Sequence, residues 1–410
     1  MNMKLRLIIM NFLQYAIWGA WLISLGAYLG DDGLNFSWGQ IGSFFATMGI
    51  ASLFMPALVG IVADRWIPAQ KVLGICHLIA ASFMIAAAFQ TTYDTLYPLI
   101  LCSVMFYMPT IALSNSVAFN AITKSGMDPV KDFPPIRVFG TIGFICAMWV
   151  IDLLQLGLTS NQMFISAGLG IVLGLYAFTM PKCSVNKNVE KKNWVDTLGL
   201  RAFALFKQKK MAIFFIFSMM LGMSLQITNA FADGYIRSFG ENPIYQGTFG
   251  VDHSVMLISL SQISETLCIL LIPFFLKRFG IKKVMIISMI AWVLRFALLG
   301  AGNPGAGVWM FVLSMIVYGV AFDFFNISGS LFVEKETDES IRSSAQGVFM
   351  IMTNGFGAFI GSYAAGAIVD TYAWPNSWYI FAAYSLVVAI TFALVFKYKH
   401  DPNAIGEIKH

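Results

Sequence analysis

Two acidic residues stand in the middle of long apolar stretches, where an ionised side chain is costly. Glu265 and Asp323 are these two acids. A carboxylate at the centre of a membrane helix costs about 2.5–3.5 kcal/mol on insertion scales, so it normally faces a cavity or a polar partner. Gln262 precedes Glu265 by three residues and Asn326 follows Asp323 by three, so each acid shares a helix face with an amide. The pattern predicts a cavity with at least one titrating carboxylate; buried hydrogen bonds between helices are the structural alternative.

Two further groups of polar residues lie at a similar depth in apolar stretches. Gln226 and Asn229 are three residues apart, and Arg137, Thr141 and Phe144 form one helical stripe. The amides could instead hold neighbouring helices together, and the arginine could extend its head group to the lipid surface. Together with the two acids, Gln226 and Asn229 supply donors and acceptors without a fixed positive charge. Such a lining suits a neutral, polyhydroxylated or heterocyclic solute better than an anion.

The composition indicates that most of the surface does not face water. Of the 410 residues, 58% are hydrophobic and 11% are charged, whereas a soluble domain carries about 25% charged residues. The first apolar run, 7–29, is too long for the core of a signal peptide and is predicted to cross a membrane. A soluble multi-domain protein is therefore excluded.

The sequence offers little material for catalysis or for a metal site. The five cysteines are isolated and the four histidines are scattered. No nucleophile elbow, phosphate loop or metal-binding helix stands where it would support a reaction. We therefore expect no enzyme activity, no metal and no cofactor. The net charge of +5 is explained by membrane topology, so we expect no nucleic-acid partner.

The elements that position the polar residues are predicted to be twelve transmembrane helices. About 20 mostly apolar residues are needed to cross the hydrocarbon core. The predicted spans are 5–29, 40–62, 72–90, 96–119, 135–157, 162–180, 211–235, 254–276, 284–301, 307–332, 343–368 and 376–397. With a cytoplasmic N-terminus, all 26 Lys and Arg residues fall on the inner side except Arg137, Arg237 and Arg295. This bias predicts that both termini are cytoplasmic. Arg295, within the ninth span, could pair with a neighbour or extend toward the surface, and we assign it no role.

A polar linker at 181–210 divides the chain into six-helix bundles at 1–180 and 211–400, followed by a cytoplasmic tail at 401–410. A short basic turn is predicted between the second and third helices of each half. In the first half it carries Gly60, Asp64 and Arg65, where the acid can cap a helix end. This order resembles the loop motif of the major facilitator superfamily, which implies an all-α polytopic membrane fold in two halves.

Longer strings resemble the bacterial nucleoside permeases, and the resemblance runs from Phe12 to His400. Those strings are Phe-Pro-Pro-Ile-Arg at 133–137, Gly-Thr-Ile-Gly-Phe at 140–144, Leu-Gln-Ile-Thr-Asn at 225–229, and Tyr-Gly at 318–319 with Ala-Phe-Asp-Phe-Phe-Asn-Ile-Ser-Gly-Ser at 321–330. The resemblance implies a nucleoside:proton symporter that takes up purine and pyrimidine nucleosides such as uridine. It further implies a monomer, surrounded by lipid, in the bacterial inner membrane. Asp233 departs from the family, since a neutral residue is expected there.

The same resemblance implies a set of site residues. Those expected around the nucleoside are Arg137, Thr141, Phe144, Gln226, Asn229, Gln262, Glu265, Tyr318, Phe322 and Asp323. Asn326 joins the set because it shares a face with Asp323, and the two acids are the expected proton sites. In the expected mechanism the two halves rock around a midplane site. The alternatives are a sugar or polyol symporter of the same superfamily and a facilitator that does not concentrate its solute.

Overall fold

The structure is a computed structural model that describes residues 2–183, 200–338 and 341–398. All regular secondary structure within these ranges is helical. The chain divides into two compact units, one of Met1–Leu198 with Asn229–Gly234 and the other of Gly199–Thr228 with Tyr235–His410. Most of the predicted linker and the predicted tail lie outside the described residues, so the boundaries 181–210 and 401–410 stay predictions.

The first part of the chain forms seven helices. They are α1 (Met3–Gly19), α2 (Leu25–Leu29), α3 (Trp38–Arg65), α4 (Ala69–Ala88), α5 (Tyr93–Lys124), α6 (Pro129–Leu153) and α7 (Asn161–Ala177). The predicted first span is broken, because residues 20–24 form turns between α1 and α2. Ser37 and Gln40 form a reciprocal capping box that starts α3.

Helix α6 begins earlier than the sequence predicted. Pro134 and Pro135 were expected in its first turn, but the helix begins at Pro129 and both residues lie inside it. The carboxylate of Asp132 accepts a hydrogen bond from the backbone N–H of Asp128, 3.1 Å away. An acid in the first turn also interacts favourably with the helix dipole. This polar start was missed because the prediction relied on apolar residues alone.

The later part of the chain begins with a 3₁₀ helix (Leu200–Lys207) and continues in further helices. They are α8 (Lys209–Ser238), α9 (Phe249–Asp252), α10 (Ser254–Ala301), α11 (Val308–Glu336), α12 (Arg342–Met350), a π-helical segment (Ile351–Gly357), α13 (Ala358–Tyr372) and α14 (Asn376–Val395). Helix α10 covers two predicted spans, and a basic loop was expected between them. The break is one residue, Gly280, whose φ of 73° is readily adopted by glycine alone.

Nine helices of the described part of the chain are long and apolar enough to cross a membrane. One of them is α10, which spans 48 residues, while α7 is a shorter apolar helix of 17 residues. Every predicted span overlaps one of the observed helices. The protein is therefore an all-helical, multi-pass membrane protein, and the count of twelve crossings stays a prediction.

Glycines allow several helices to touch through their backbones. A side chain at Gly143 of α6 would collide with the backbone of Phe12 in α1. In the later helices, one at Gly222 of α8 would collide with the backbone of Thr353 in the π-helical segment. A Cβ at Gly357 would lie 2.6 Å from the Met219 carbonyl oxygen. Small residues at such crossings are typical of membrane helices, where close packing replaces hydrophobic burial.

Candidate functional site

Arg137 on α6 is stacked against an aromatic ring of α1. Its guanidinium carbon lies 3.9 Å from the centre of the Tyr15 ring, a geometry that gives a cation–π interaction. A Cβ at Gly140 would lie 2.6 Å from that ring and 2.7 Å from the Arg137 Nη1 atom, so the glycine is required for the stack. Arg137 is partly exposed and forms neither a hydrogen bond nor an ion pair with any described residue. Its donors are therefore available to a solute or to water.

The other two residues of the predicted α6 stripe follow Arg137 along the helix. Phe144 is buried and meets the edge of Trp18, with ring centres 6.4 Å apart. The centre of the Trp18 ring in turn lies 5.8 Å from the centre of the Tyr107 ring. Thr141 is half-buried, and within the described ranges its hydroxyl has no hydrogen-bond partner. The stripe thus combines an aromatic cluster with two polar side chains, Arg137 and Thr141, that make no hydrogen bond with any described residue.

A buried hydrogen-bond network that shares Tyr107 with this cluster was missed from the sequence. The Gln14 side-chain oxygen accepts from His77 Nε2 at 2.9 Å, and the Gln14 amide donates to Thr110 Oγ1 at 2.8 Å. The Tyr107 hydroxyl donates to the Gln14 backbone carbonyl at 2.7 Å. Because the amide oxygen can only accept, His77 carries its proton on Nε2. The network fixes the Tyr107 ring beside Trp18.

Among the later helices, Asp323 is an acid whose side chain is almost completely buried. It is 3% exposed on α11, and its Oδ2 atom is buried without a hydrogen-bond partner among the described residues. Glu265 on α10 is half-buried and near enough for the two carboxylates to repel each other when both are ionised. The structure therefore brings together the two acids that the sequence singled out. Neither is among the described residues that line the cavity found in the second unit.

Helices α10 and α11, which carry the two acids, are held in close contact. A Cβ at Gly319 would lie 2.6 Å from the Ser264 carbonyl oxygen, and Ser264 donates a hydrogen bond to the carbonyl of Ile316. Along α11, the rings of Tyr318 and Phe322 are stacked with their centres 5.8 Å apart. This contact orders two aromatic residues of the predicted site next to Asp323.

Arg295 is a buried cation that the protein holds inside. It is 1% exposed, and its guanidinium carbon lies 4.5 Å from the centre of the Tyr318 ring. Nη1 donates to the Ser314 carbonyl at 2.7 Å and to the Ser261 hydroxyl at 3.4 Å. Of the two alternatives from the sequence, extension toward the surface is wrong and pairing with neighbours is correct. The tyrosine face and the serine groups compensate part of the cost of burial.

The remaining predicted residues differ in their surroundings. Gln226 is buried, while Asn229 is half-buried and belongs to the segment that groups with the first unit. Gln262 and Asn326 are half-buried, and neither side chain hydrogen-bonds to another part of the chain that the structure describes. The side-chain donors and acceptors of Gln262 and Asn326 are therefore available to a solute or to water.

The predicted loop motif is instead the last turn of α3. The helix continues through Pro56 and Gly60 to Arg65 and ends before Pro68, which disfavours helical backbone in the residue that precedes it. Arg65 lies in the last turn, where a cation favours the negative end of the helix dipole. The side chain of Asp64 lies outside the described part of the structure, so its capping role stays a prediction.

Comparison with known proteins places these features in context. Residues 1–401 match the model of a family described as "Nucleoside H+ symporter". The nucleoside permease NupG of Escherichia coli strain K12 is 51% identical over 419 residues, with 100% of both chains covered. The xanthosine permease of the same strain is 48% identical over 417 residues, covering 100% of this chain and 99% of its own.

The fold of this chain is also similar to the folds of solved transporter structures. The crystal structure of the nucleoside transporter NupG matches with a TM-score of 0.92 at 51% identity, covering 97% of this chain and 100% of that one. A POT family transporter in complex with 5-aminolevulinic acid matches with a TM-score of 0.72 at 11% identity, and covers 96% of each chain. The second likeness shows the fold alone. The predicted transporter fold of the major facilitator type is confirmed.

Proposed function

The chain belongs to the nucleoside H+ symporter family, and from this premise we propose that it carries nucleosides across a membrane together with protons. Its relatives are named permeases, so it is a transporter and not an enzyme. The observation that carries the proposal is Asp323, a carboxylate with an unpartnered, buried Oδ2 atom beside a second acid.

The two acids provide a physical route to proton coupling. An ionised Asp323 is costly in its apolar surroundings, and the nearby Glu265 adds repulsion. A proton taken up by Asp323 removes both costs, whereas a proton taken up by Glu265 removes only the repulsion. The proton-loaded, substrate-loaded carrier is then the species that changes its access from one side of the membrane to the other. Asp323 and Glu265 are the proposed proton sites.

The proposed nucleoside ligands are the residues that the family resemblance implies, with Asn326. Their unoccupied polar groups support this assignment, because Arg137, Thr141 and Gln262 form no hydrogen bond with described residues. Phe144 and Phe322 offer aromatic faces on which a base can stack, a contact that tolerates different bases. The amides and the guanidinium would bind base edges and ribose hydroxyls. Gln226, Asn229, Glu265, Tyr318 and Asp323 complete the proposed set.

The cellular setting is proposed from the charge distribution of the sequence. The concentration of Lys and Arg on one side supports cytoplasmic termini at both ends. A bacterial inner-membrane location, a functional monomer surrounded by lipid, and the absence of a resident cofactor belong to the same proposal. The proton gradient would supply the energy, so no bound group is needed.

Uptake by purified protein in liposomes tests the function. Labelled uridine should accumulate when an inward proton gradient is imposed, and a protonophore should abolish the accumulation. Unlabelled nucleosides should compete, whereas hexoses should not. Competition by hexoses would favour the sugar symporter, and equilibration without accumulation would favour the facilitator. Empty liposomes under the same gradient are the control.

A further inference from the structure

A π-helical segment, Ile351–Gly357, joins α12 directly to α13. Such segments are rare and are frequently found at functional sites. The segment is held on both sides. The Thr353 hydroxyl donates to the Phe349 carbonyl at 2.9 Å, and only a glycine at position 222 lets α8 approach its backbone. The wider turn therefore has a fixed position against α8.

The π-helical segment forms one wall of a cavity within the second unit. Asn354 from this segment and Asn326 from α11 line the cavity, together with the aromatic side chains of Trp292, Phe322 and Phe325. No acidic or basic side chain is among the described residues around it. A cavity with amides, aromatic rings and no charge favours a neutral heteroaromatic group over an ion.

Neither amide is satisfied by the protein. Asn326 makes no side-chain hydrogen bond with any described residue. The Nδ2 atom of Asn354 faces only the Met350 sulfur, a weak acceptor, at 3.8 Å. Both side chains are half-buried. Each amide can donate and accept at once, which matches the donor–acceptor edge of a nucleobase.

We propose that this cavity binds the base of the transported nucleoside, and that Asn354 reads the hydrogen-bonding edge of the base. Asn326 contributes a second donor and acceptor, and Phe322 contributes its ring face. The inference rests on the proposed nucleoside transport and adds a specificity-determining residue to it. It assigns edge recognition to the π-helical segment, which presents Asn354 to the cavity.

The substitution Asn354→Asp tests the proposal because it keeps the size of the side chain and replaces the NH₂ donor by an acceptor. Position 4 of the base is a carbonyl in uridine and an amino group in cytidine. The variant should therefore bind uridine more weakly and cytidine more tightly. The ratio of the uridine inhibition constant to the cytidine inhibition constant should rise by about tenfold, the scale of one bidentate amide contact. An unchanged ratio would overturn the proposal.

A second variant, Asn354→Ala, removes the edge contact altogether. In wild type, 3-methyluridine, with its base edge blocked, should compete less well than uridine, and 2′-deoxyuridine reports on ribose contacts. In Asn354→Ala, the ratio of the inhibition constants of 3-methyluridine and uridine should fall close to one. The ratio of the inhibition constants of 2′-deoxyuridine and uridine should stay as in wild type. A change confined to the 2′-deoxyuridine ratio would show that Asn354 contacts the ribose and would contradict the proposal.

The matched control is Asn376→Ala, since Asn376 is an exposed amide whose Nδ2 donates to the Tyr372 carbonyl at 3.3 Å. It should leave both ratios as in wild type. Size-exclusion profiles verify that each variant is folded before its ratios are compared. If wild type itself shows no proton-driven uridine uptake, the proposed function fails. If wild type transports and both Asn354 variants keep its ratios, only the present inference fails.

Discussion

Replacing Asp323 by asparagine should separate substrate movement from proton coupling. The side chain keeps its size and stays neutral, so it resembles the protonated acid. Because the wild-type side chain is 3% exposed and its Oδ2 atom is unpartnered, removing its charge should not destabilise the surrounding helices. Asp323→Asn should therefore yield folded protein that still exchanges nucleosides.

The size of the effect follows from the energy of one proton. Moving one charge through 100 mV releases about 2.3 kcal/mol, and about 1.36 kcal/mol corresponds to a factor of ten. Coupling to one proton therefore supports about 50-fold accumulation in wild type. The variant should equilibrate uridine at a ratio of about one.

Two assays on the same liposomes distinguish loss of coupling from loss of binding. Accumulation under a membrane potential of 100 mV should disappear in Asp323→Asn, while counterflow exchange of labelled for unlabelled uridine should continue. Asp94→Asn, which changes an exposed acid at the start of α5, should retain full accumulation. Uphill accumulation by Asp323→Asn to tens-fold would refute its role and would leave Glu265 as the proton site.

The stacked guanidinium, the close helix contact and a buried thiol each give another testable outcome. Arg137→Lys keeps the charge but loses the planar stacking on Tyr15 that positions the guanidinium. Holding the side chain in that position without the stack costs about 0.5–2 kcal/mol, so the KM for uridine should rise by up to about 2- to 30-fold; an unchanged KM would contradict this. Gly143→Val should abolish a monodisperse size-exclusion peak because the α1 backbone occupies that space, whereas Gly168→Ala, with no neighbour within 4 Å, should leave the melting temperature unchanged. Burial raises the pKa of the Cys183 thiol, so a smaller fraction of this thiol is the reactive thiolate at neutral pH. Maleimide labelling of Cys183 should therefore be slow at pH 7 and faster at pH 9. A labelling rate at pH 7 equal to that of free cysteine would argue against the burial.

The helices were predictable wherever apolar length alone defines them. The break at Gly280 was predicted as a loop because basic residues surround it, whereas one residue with positive φ is enough to turn the chain. The early start of α6 depends on Asp132, which an apolar pattern does not report. Local polar contacts of this kind determine helix ends, and they are not encoded in hydropathy.

The candidate site was predictable to the extent that burial makes polar residues costly. The apolar surroundings of Asp323 led to its selection, and the structure shows it buried. The network of Gln14, His77 and Thr110 was missed because its members are 63 and 96 residues apart. The π-helical segment was also missed, since a single widened turn does not change the apolar spacing enough to be recognised. Pairing across helices requires the fold.

The glycine contacts between α8 and the π-helical segment affect how this part of the carrier can move. At Gly222 and Gly357 the main chain of one element rests directly on the main chain of the other. No layer of side chains lies between them at these points, so rotamer changes there cannot absorb sliding. The two elements must therefore shift as one rigid pair. A displacement of Asn354 should therefore also displace α8, the helix that carries Gln226.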